Sequence, residues 1–241
     1  MHNTIFIILI LALTSCSNRS SNDIERMNLY GNIKSIHEEK RDNNNKLIMT
    51  KETYFTNSGM VESVEFYYPQ NRVSNKSLNH YDFRNRLTRQ DIIMNDSLML
   101  TQEYLQISSI KDSLLAYNSN GDLINTAALI YNNDKKVIES NLFDLEKNLI
   151  YSEISKYDNN NRLKETEIKS LDPSSNGDVY SYSYDSIGRM QVLTITNSIN
   201  NFESIETYSY EIDDMKNWIK KMTMSSNGEL IAKWTRKIEY K

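Results

Sequence analysis

The stretch that decides the fold is Tyr184-Asp-Ser-Ile-Gly-Arg-Met190, together with its near copy Tyr157-Asp-Asn-Asn-Asn-Arg-Leu163. Each begins with a tyrosine, which favours strands, and ends with an aliphatic residue. Between them lies a polar turn whose fifth residue is Gly or Asn, the residues that adopt positive φ at least cost. A strand end, a turn with one left-handed residue and a strand start together predict a β-hairpin connection.

This pattern recurs along the whole chain after residue 27. Its fifth place is predicted to be a left-handed turn residue in seven copies: Asn45, Asn71, Asn85, Gly121, Asn161, Gly188 and Gly228. The copies fall at multiples of roughly 13 residues, which suits a strand of about eight residues and a turn of about five. The sequence therefore predicts an all-β antiparallel meander of about 14–16 strands.

A sheet of that many strands rarely stays flat and open, because strand twist accumulates across it. We therefore expect the sheet to be curled or coiled on itself. No shift in composition interrupts the repeat, so residues 27–241 are predicted to form a single domain.

The N-terminus is predicted to be a targeting segment. The apolar run Ile5–Leu13 is too short for a membrane-spanning helix, which needs about 20 residues, but it suits the core of a signal peptide. Leu13-Thr14-Ser15-Cys16 resembles the lipobox of bacterial lipoproteins. The resemblance implies a signal peptide over residues 1–15, acylation of Cys16 with palmitate-type chains, and a polar tether over 16–26. A plain secretory signal is the alternative.

The same resemblance bears on location. A serine after the acylated cysteine, here Ser17, implies anchoring to the outer membrane by lipid. Only Asp23 and Glu25 follow as acidic residues, which favours the periplasmic face over the cell surface. The membrane is thus an expected partner, through the anchor.

Composition excludes several classes of function. The chain has 28 basic and 32 acidic residues and a net charge of −4, which gives no basis for nucleic-acid binding. A single cysteine excludes a disulfide framework and multi-cysteine metal sites. The sequence contains no phosphate-binding glycine-rich loop, zinc-binding helix motif or nucleophile elbow. No catalytic residue, metal site or cofactor is predicted.

The segment Tyr184–Met190 matches the YD repeat of the RHS-like families, and Tyr157–Leu163 and Tyr81–Leu87 match with Asn in place of Gly. The segments Leu29–Ile36 and Asn217–Lys220 resemble uncharacterised Bacteroidetes outer-membrane lipoproteins built from such repeats. The resemblance implies that the meander is built from YD-like hairpins of ~13 residues. It implies the sheet and says almost nothing about activity.

Two tryptophans are the candidate ligand-binding residues. Trp218 and Trp234 lie outside the regular tyrosine position, and aromatic faces stack on sugars and anchor protein interfaces. The predicted function is a non-catalytic binding or scaffold module of the cell envelope, whose partner is another envelope protein or a glycan. A glycan-binding lipoprotein of a nutrient-uptake system is the first alternative.

An envelope hydrolase that uses His37 or Asp213 is the second alternative. Three further tripeptides, which begin at Asp96, Asp112 and Asp185, resemble an O-glycosylation signal of Bacteroidetes envelope proteins. They predict modification at Ser97, Ser113 and Ser186.

Overall fold

A computed structural model describes residues 23–170, 177–197 and 199–241. The described chain opens with a short helix, α1, and continues as sixteen strands. Their bounds are α1 Asp23–Arg26, β1 Ile33–Asp42, β2 Leu47–Phe55, β3 Val61–Tyr68, β4 Val73–Tyr81, β5 Leu87–Met94, β6 Ser97–Gln106, β7 Lys111–Asn118, β8 Leu123–Tyr131, β9 Val137–Phe143, β10 Leu149–Tyr157, β11 Leu163–Ser170, β12 Asp178–Tyr184, β13 Met190–Asn197, β14 Phe202–Ile212, β15 Trp218–Ser225 and β16 Leu230–Tyr240. The stretch Leu98–Leu115, whose register is unclear in the sequence, contains β6 and the start of β7.

The strands form a closed up-and-down barrel. Each strand pairs antiparallel with the next, and β1 also pairs with β16, from Ile33 opposite Tyr240 to Asp42 opposite Ala232. The predicted antiparallel meander is confirmed, and the predicted curling takes the form of closure. Closure leaves β1 and β16 without an unpaired edge that could recruit another strand.

The barrel has two distinct ends. We call the end where β1 begins and β16 finishes the terminal end, and the opposite one the far end. The N-terminal segment lies against the terminal end, where Ile24 and Leu29 pack with Ile33, Ile36 and Phe55. The Ile24 N–H donates to the Gly59 carbonyl at 3.2 Å, and Asn217 bonds to both backbone groups of Tyr30 at 2.8 Å.

Six turns share one capping device. In each of them an Asp or Asn side chain accepts two backbone N–H bonds, from the residues two and four places on: Asp42, Asp82, Asn118, Asn132, Asp158 and Asp185. Such local bonds stabilise the turn in place of a strand partner. At the fifth place φ is positive at Asn45, Asn85, Gly121, Asn161, Gly188 and Gly228.

One predicted turn residue is wrong. In the turn between β3 and β4, φ is positive at Arg72 (51°) and not at Asn71. Tyr68 occupies the capping place there and has no side-chain oxygen that reaches the next amides. Without that cap, Tyr68 pairs directly with Val73, and the left-handed residue moves one place along.

The outward face carries charge. Lys34 pairs with Glu239 at 2.9 Å and Lys156 with Glu165 at 2.5 Å, and the Lys34–Glu239 side chains are more than half exposed. Both pairs lie at the terminal ends of their strands, on β1 with β16 and on β10 with β11.

The predicted signal peptide, Cys16 and most of the tether lie outside the described residues, as do residues 171–176. No helix in the described ranges is long and apolar enough to cross a bilayer.

Candidate ligand site on the inner wall

The interior of the barrel has two unlike walls. On the first, Leu100, Leu114, Ala127, Leu129 and Leu142 form a buried apolar cluster across β6–β9. On the second, β14–β16 with β1 and β2 place charged and aromatic side chains inward. We call the first the apolar wall and the second the cationic wall.

The structure brings the two predicted tryptophans together on the cationic wall. Lys221 lies on the same strand as Trp218 and is directly opposite Trp234 on β16 and Tyr210 on β14. The Lys221 ammonium is 4.6 Å from the Trp234 ring centre and 5.5 Å from the Trp218 ring centre. Trp218, Trp234, Lys221 and Arg236 are hereafter the inner cluster.

Arg236 stacks on Trp218. Its guanidinium carbon is 3.4 Å from the centre of the Trp218 ring, and Lys40 lies 5.3 Å from the centre of the Trp234 ring. A cation over a tryptophan face is the strongest form of cation–π contact. Each tryptophan ring therefore contacts two cations: Trp218 contacts Arg236 and Lys221, and Trp234 contacts Lys40 and Lys221.

The buried carboxylate of Glu38 pairs with two cations of this wall. Glu38 accepts from Arg236 at 2.9 Å and pairs with Lys51 at 3.1 Å, and the Glu38 and Arg236 side chains are only 5% and 6% exposed. Burial raises the pKa of Glu38, but the charges of Lys51 and Arg236 outweigh it and lower the pKa below its ordinary value. Glu38 is therefore ionised at neutral pH.

Lys221 is the least compensated cation of the wall. Burial lowers its pKa to about 8; Glu38 opposes this shift, whereas Arg236, Lys40 and Lys51 add to it. Its described contacts are the rings of Tyr208, Trp218 and Trp234. A desolvated ammonium of this kind would be stabilised by an anion that enters the barrel.

A cavity of about 180 Å³ continues the cationic wall towards the terminal end. Its lining residues are Asp23, Met27, Lys51, Thr53, Val61, Val64, Phe66, Ser77, Asn79 and Gln90. Lys51 belongs to both the cavity and the ion-pair group of Glu38. The volume equals that of about six water molecules in the liquid, so the cavity admits a small polar group.

Three buried polar atoms on this side of the barrel have no hydrogen-bond partner among the described residues. They are Arg236 Nη1, Thr53 Oγ1 and Gln90 Oε1. An unpaired buried donor or acceptor is costly, and such groups are normally satisfied by water or a ligand. The wall therefore offers stacking surfaces, cations and free hydrogen-bonding atoms together.

The hydrolase residues are not brought together. His37 lies on the outward face of β1, where burial lowers its pKa but hydrogen bonding and charge from Glu52 and Glu39 raise it overall. Asp213 caps a turn, accepting from the Asn217 N–H at 2.8 Å and from the Tyr240 hydroxyl at 2.9 Å. Within the described ranges no three His, Cys, Asp or Glu side chains are grouped to hold a metal.

The three serines proposed for glycosylation occupy different settings. Ser97 and Ser186 are exposed at the start of β6 and in the turn after β12. Ser113 is half-buried on β7, within 3.4 Å of the Ala127 carbonyl. Their modification stays a prediction.

Sequence reasoning missed Lys221, Arg236 and Glu38. Arg236 could have been found from the alternation of side chains along β16. Leu230, Ala232 and Trp234 precede it at every second position and therefore share its face. For Lys221 the phase alone is ambiguous, since Lys220 is its neighbour in sequence and points to the other side.

No protein-family model matches the chain, and no curated protein matches it. Among solved structures, a porin-like protein from Bacteroides uniformis is similar over 86% of this chain and 98% of its own, with 10% identity and a TM-score of 0.42. A porin-like protein from Bacteroides vulgatus is similar over 87% and 98%, with 7% identity and a TM-score of 0.31. The Photorhabdus luminescens Tc holotoxin pore matches over 78% of this chain and 12% of its own, with 12% identity and a TM-score of 0.33. At such low identities and TM-scores, these likenesses assign no function.

Proposed function

We propose that this protein is a non-catalytic binding protein of the cell envelope, and that it takes an anionic oligosaccharide on the cationic wall. The observation that carries the proposal is the convergence of Trp218, Trp234, Lys221 and Arg236 on one inner surface. It keeps the predicted binding role and the two predicted residues, and it assigns the binding face to the inside of the barrel.

The chemistry of the inner cluster selects the ligand class. The flat faces of tryptophan stack on sugar rings, and Lys and Arg bind carboxylate or sulfate groups. The cationic wall holds Lys40, Lys51, Lys221 and Arg236 against the carboxylates of Glu38 and Glu206, the second of which accepts from the Tyr208 hydroxyl. A neutral sugar would use the rings alone, whereas a uronic-acid sugar would also neutralise the excess positive charge.

Isothermal titration with a galacturonic-acid trisaccharide tests the proposal, with the neutral trisaccharide maltotriose as the ligand control. We expect the acidic sugar to bind and Lys221→Met or Trp218→Ala to weaken it at least tenfold. Lys220→Met is the matched control, because Lys220 points outward and pairs with Glu211.

Two outcomes would contradict the proposal. Equal affinity for the neutral trisaccharide would exclude the anionic class. An equal loss in Lys220→Met and Lys221→Met would show that binding does not use the inner cluster.

The lipid anchor is part of the proposal. Acylated Cys16 would hold a YD-repeat-like barrel on the outer membrane, at its periplasmic face, and the charged outward surface suits an aqueous compartment. Mass spectrometry of the protein extracted from membranes tests this: acyl chains on Cys16 support it, and a free thiol or an uncleaved signal peptide contradicts it.

A protein partner is the second candidate. Exposed apolar side chains lie together on neighbouring hairpins of the far end: Leu98, Met99, Leu123, Leu145 and Leu149. A contiguous exposed apolar patch commonly marks an interaction surface. In-cell crosslinking should capture one dominant envelope protein, and Leu145→Asp should abolish the capture whereas Lys221→Met should not.

A further inference from the structure

The terminal end of the barrel carries large apolar residues at its turn tips. Phe83 is 87% exposed in the turn after β4, and Ile107 is 60% exposed in the turn after β6. Ile110 is exposed in the same turn as Ile107, and Ile187 and Met215 are exposed on two further turns of the same end. Among the described turns of the far end, only Leu145 and Ile199 are exposed large apolar residues at the tips.

Cations stand beside these apolar tips. The Arg84 guanidinium lies 5.0 Å from the centre of the Phe83 ring, and Lys216 follows Met215 in its turn. Asp134 and Asp214 lie at the same end, so charge there is nearly balanced. Long cationic side chains beside apolar residues are typical of surfaces that sit in the headgroup region of a bilayer.

The chain enters the structure at this same end. Asp23 accepts from the Val61 N–H at 2.6 Å, at the start of β3. Only six residues separate Asp23 from Cys16 in the sequence. At roughly 3.5 Å per residue, seven steps reach about 25 Å at most, so an acylated Cys16 would keep the terminal end close to the membrane.

From these observations we propose that the terminal end docks on the lipid bilayer, with Phe83, Ile107, Ile187 and Met215 inserted among the headgroups. The far end then faces away from the membrane. The proposal rests on the proposed function only through the anchor at Cys16. Because charge is nearly balanced, we expect docking to depend weakly on anionic lipid and on salt.

The test uses the full chain with Cys16→Ala, so that an introduced cysteine is unique and no acyl chain is attached. One variant carries Phe83→Cys and the matched control carries Phe202→Cys, which lies at the far end and is 52% exposed in the wild type. Each is labelled with an environment-sensitive fluorophore and mixed with phosphatidylethanolamine–phosphatidylcholine vesicles. Both variants keep the apolar run Ile5–Leu13 and its contribution to vesicle binding. The measurement therefore compares how deeply each probe lies in the bilayer, and not whether the protein binds.

We expect the probe at position 83 to brighten at least twofold and to be quenched by brominated lipid, with no change at position 202. A response only at position 202, equal responses at both, or none at either would overturn the proposal. Acylation of Cys16 is read separately by mass spectrometry. Docking and the anchor can therefore fail independently, and neither outcome affects sugar binding inside the barrel.

Discussion

The two walls of the barrel use the same strand geometry for opposite purposes. Across β6–β9 most inward positions are Leu, Ala and Tyr that bury one another, with Gln102 and Ser140 buried among them. Across β14–β2 the inward positions hold cations and rings around the carboxylates of Glu38 and Glu206. Burial of apolar side chains stabilises the apolar wall. The buried charges of the cationic wall destabilise the folded state, but they remain available to a ligand inside the barrel. That contrast points to the cationic wall as the binding surface.

The largest effect is expected from Glu38→Gln. The substitution leaves Arg236 and Lys51 buried without their counter-charge, and loss of one partner of a buried pair costs about 3–5 kcal/mol. Urea unfolding at pH 7 measures it. Glu39→Gln is the control, because Glu39 points outward and pairs with Arg41 near solvent.

The pH dependence of this difference has a definite sign. The pKa of Glu38 is lower in the folded state, so its stabilisation is complete above its unfolded pKa and is lost as pH falls through the folded pKa. The difference in the free energy of unfolding between wild type and Glu38→Gln should therefore become smaller as the pH falls below about 4.5. A gap that does not change with pH would contradict the ion-pair account.

The apolar wall should respond to loss of volume. Leu114 is 1% exposed at the centre of its cluster, and Leu114→Ala should lower the free energy of unfolding by about 3 kcal/mol through lost burial and a cavity. Leu115→Ala, one residue along and on the other face, should cost much less. Sugar binding, measured where both variants are folded, should be unchanged.

Lys221→Met should stabilise the protein while it weakens sugar binding. Burial lowers the pKa of Lys221 to about 8, so the charged form is disfavoured in the folded state. Removal of the charge should add on the order of 1 kcal/mol at pH 7. The gain should shrink as pH rises from about 8 towards the unfolded value of 10.5, because the folded protein then loses the costly proton.

The same titration predicts that the wild type binds an anionic sugar less well above about pH 8, as Lys221 becomes neutral. Lys220→Met removes only the outward ion pair to Glu211 and keeps Lys221, so it should show the same loss of binding above about pH 8 as the wild type and no gain in stability. If Lys221→Met instead destabilises the chain, the contacts to Tyr208, Trp218 and Trp234 outweigh burial of the charge, and the wall is structural.

The sequence predicts only part of the contrast between the two walls. Turn residues such as Asn161 and Gly188 predict the hairpins because the tolerance of positive φ is a property of the residue itself. Closure of β1 on β16, and the opposition of Glu38 to Arg236, join positions almost 200 residues apart, which no local pattern encodes. The tryptophans were identifiable as exceptions to the tyrosine position, but the inward direction of Trp218 depends on the register shift between β14 and β15 at Glu211 and Ile212.

The smallest expected effect comes from two hydroxyl groups, one on each side of the barrel. Ser140 Oγ, opposite Leu129, and Thr53 Oγ1, in the cavity, both lack a hydrogen-bond partner among the described residues. Ser140 lies opposite Leu129 on β8 and opposite Glu153 on β10, and Ser140→Ala, which removes an unpaired buried hydroxyl, should stabilise by about 1 kcal/mol. Thr53→Val should give no gain, because the cavity admits a water or ligand that bonds to the hydroxyl. Chemical denaturation of both variants measures the difference, and an equal gain from both would mean that the cavity is as dry as the apolar wall and holds no polar ligand.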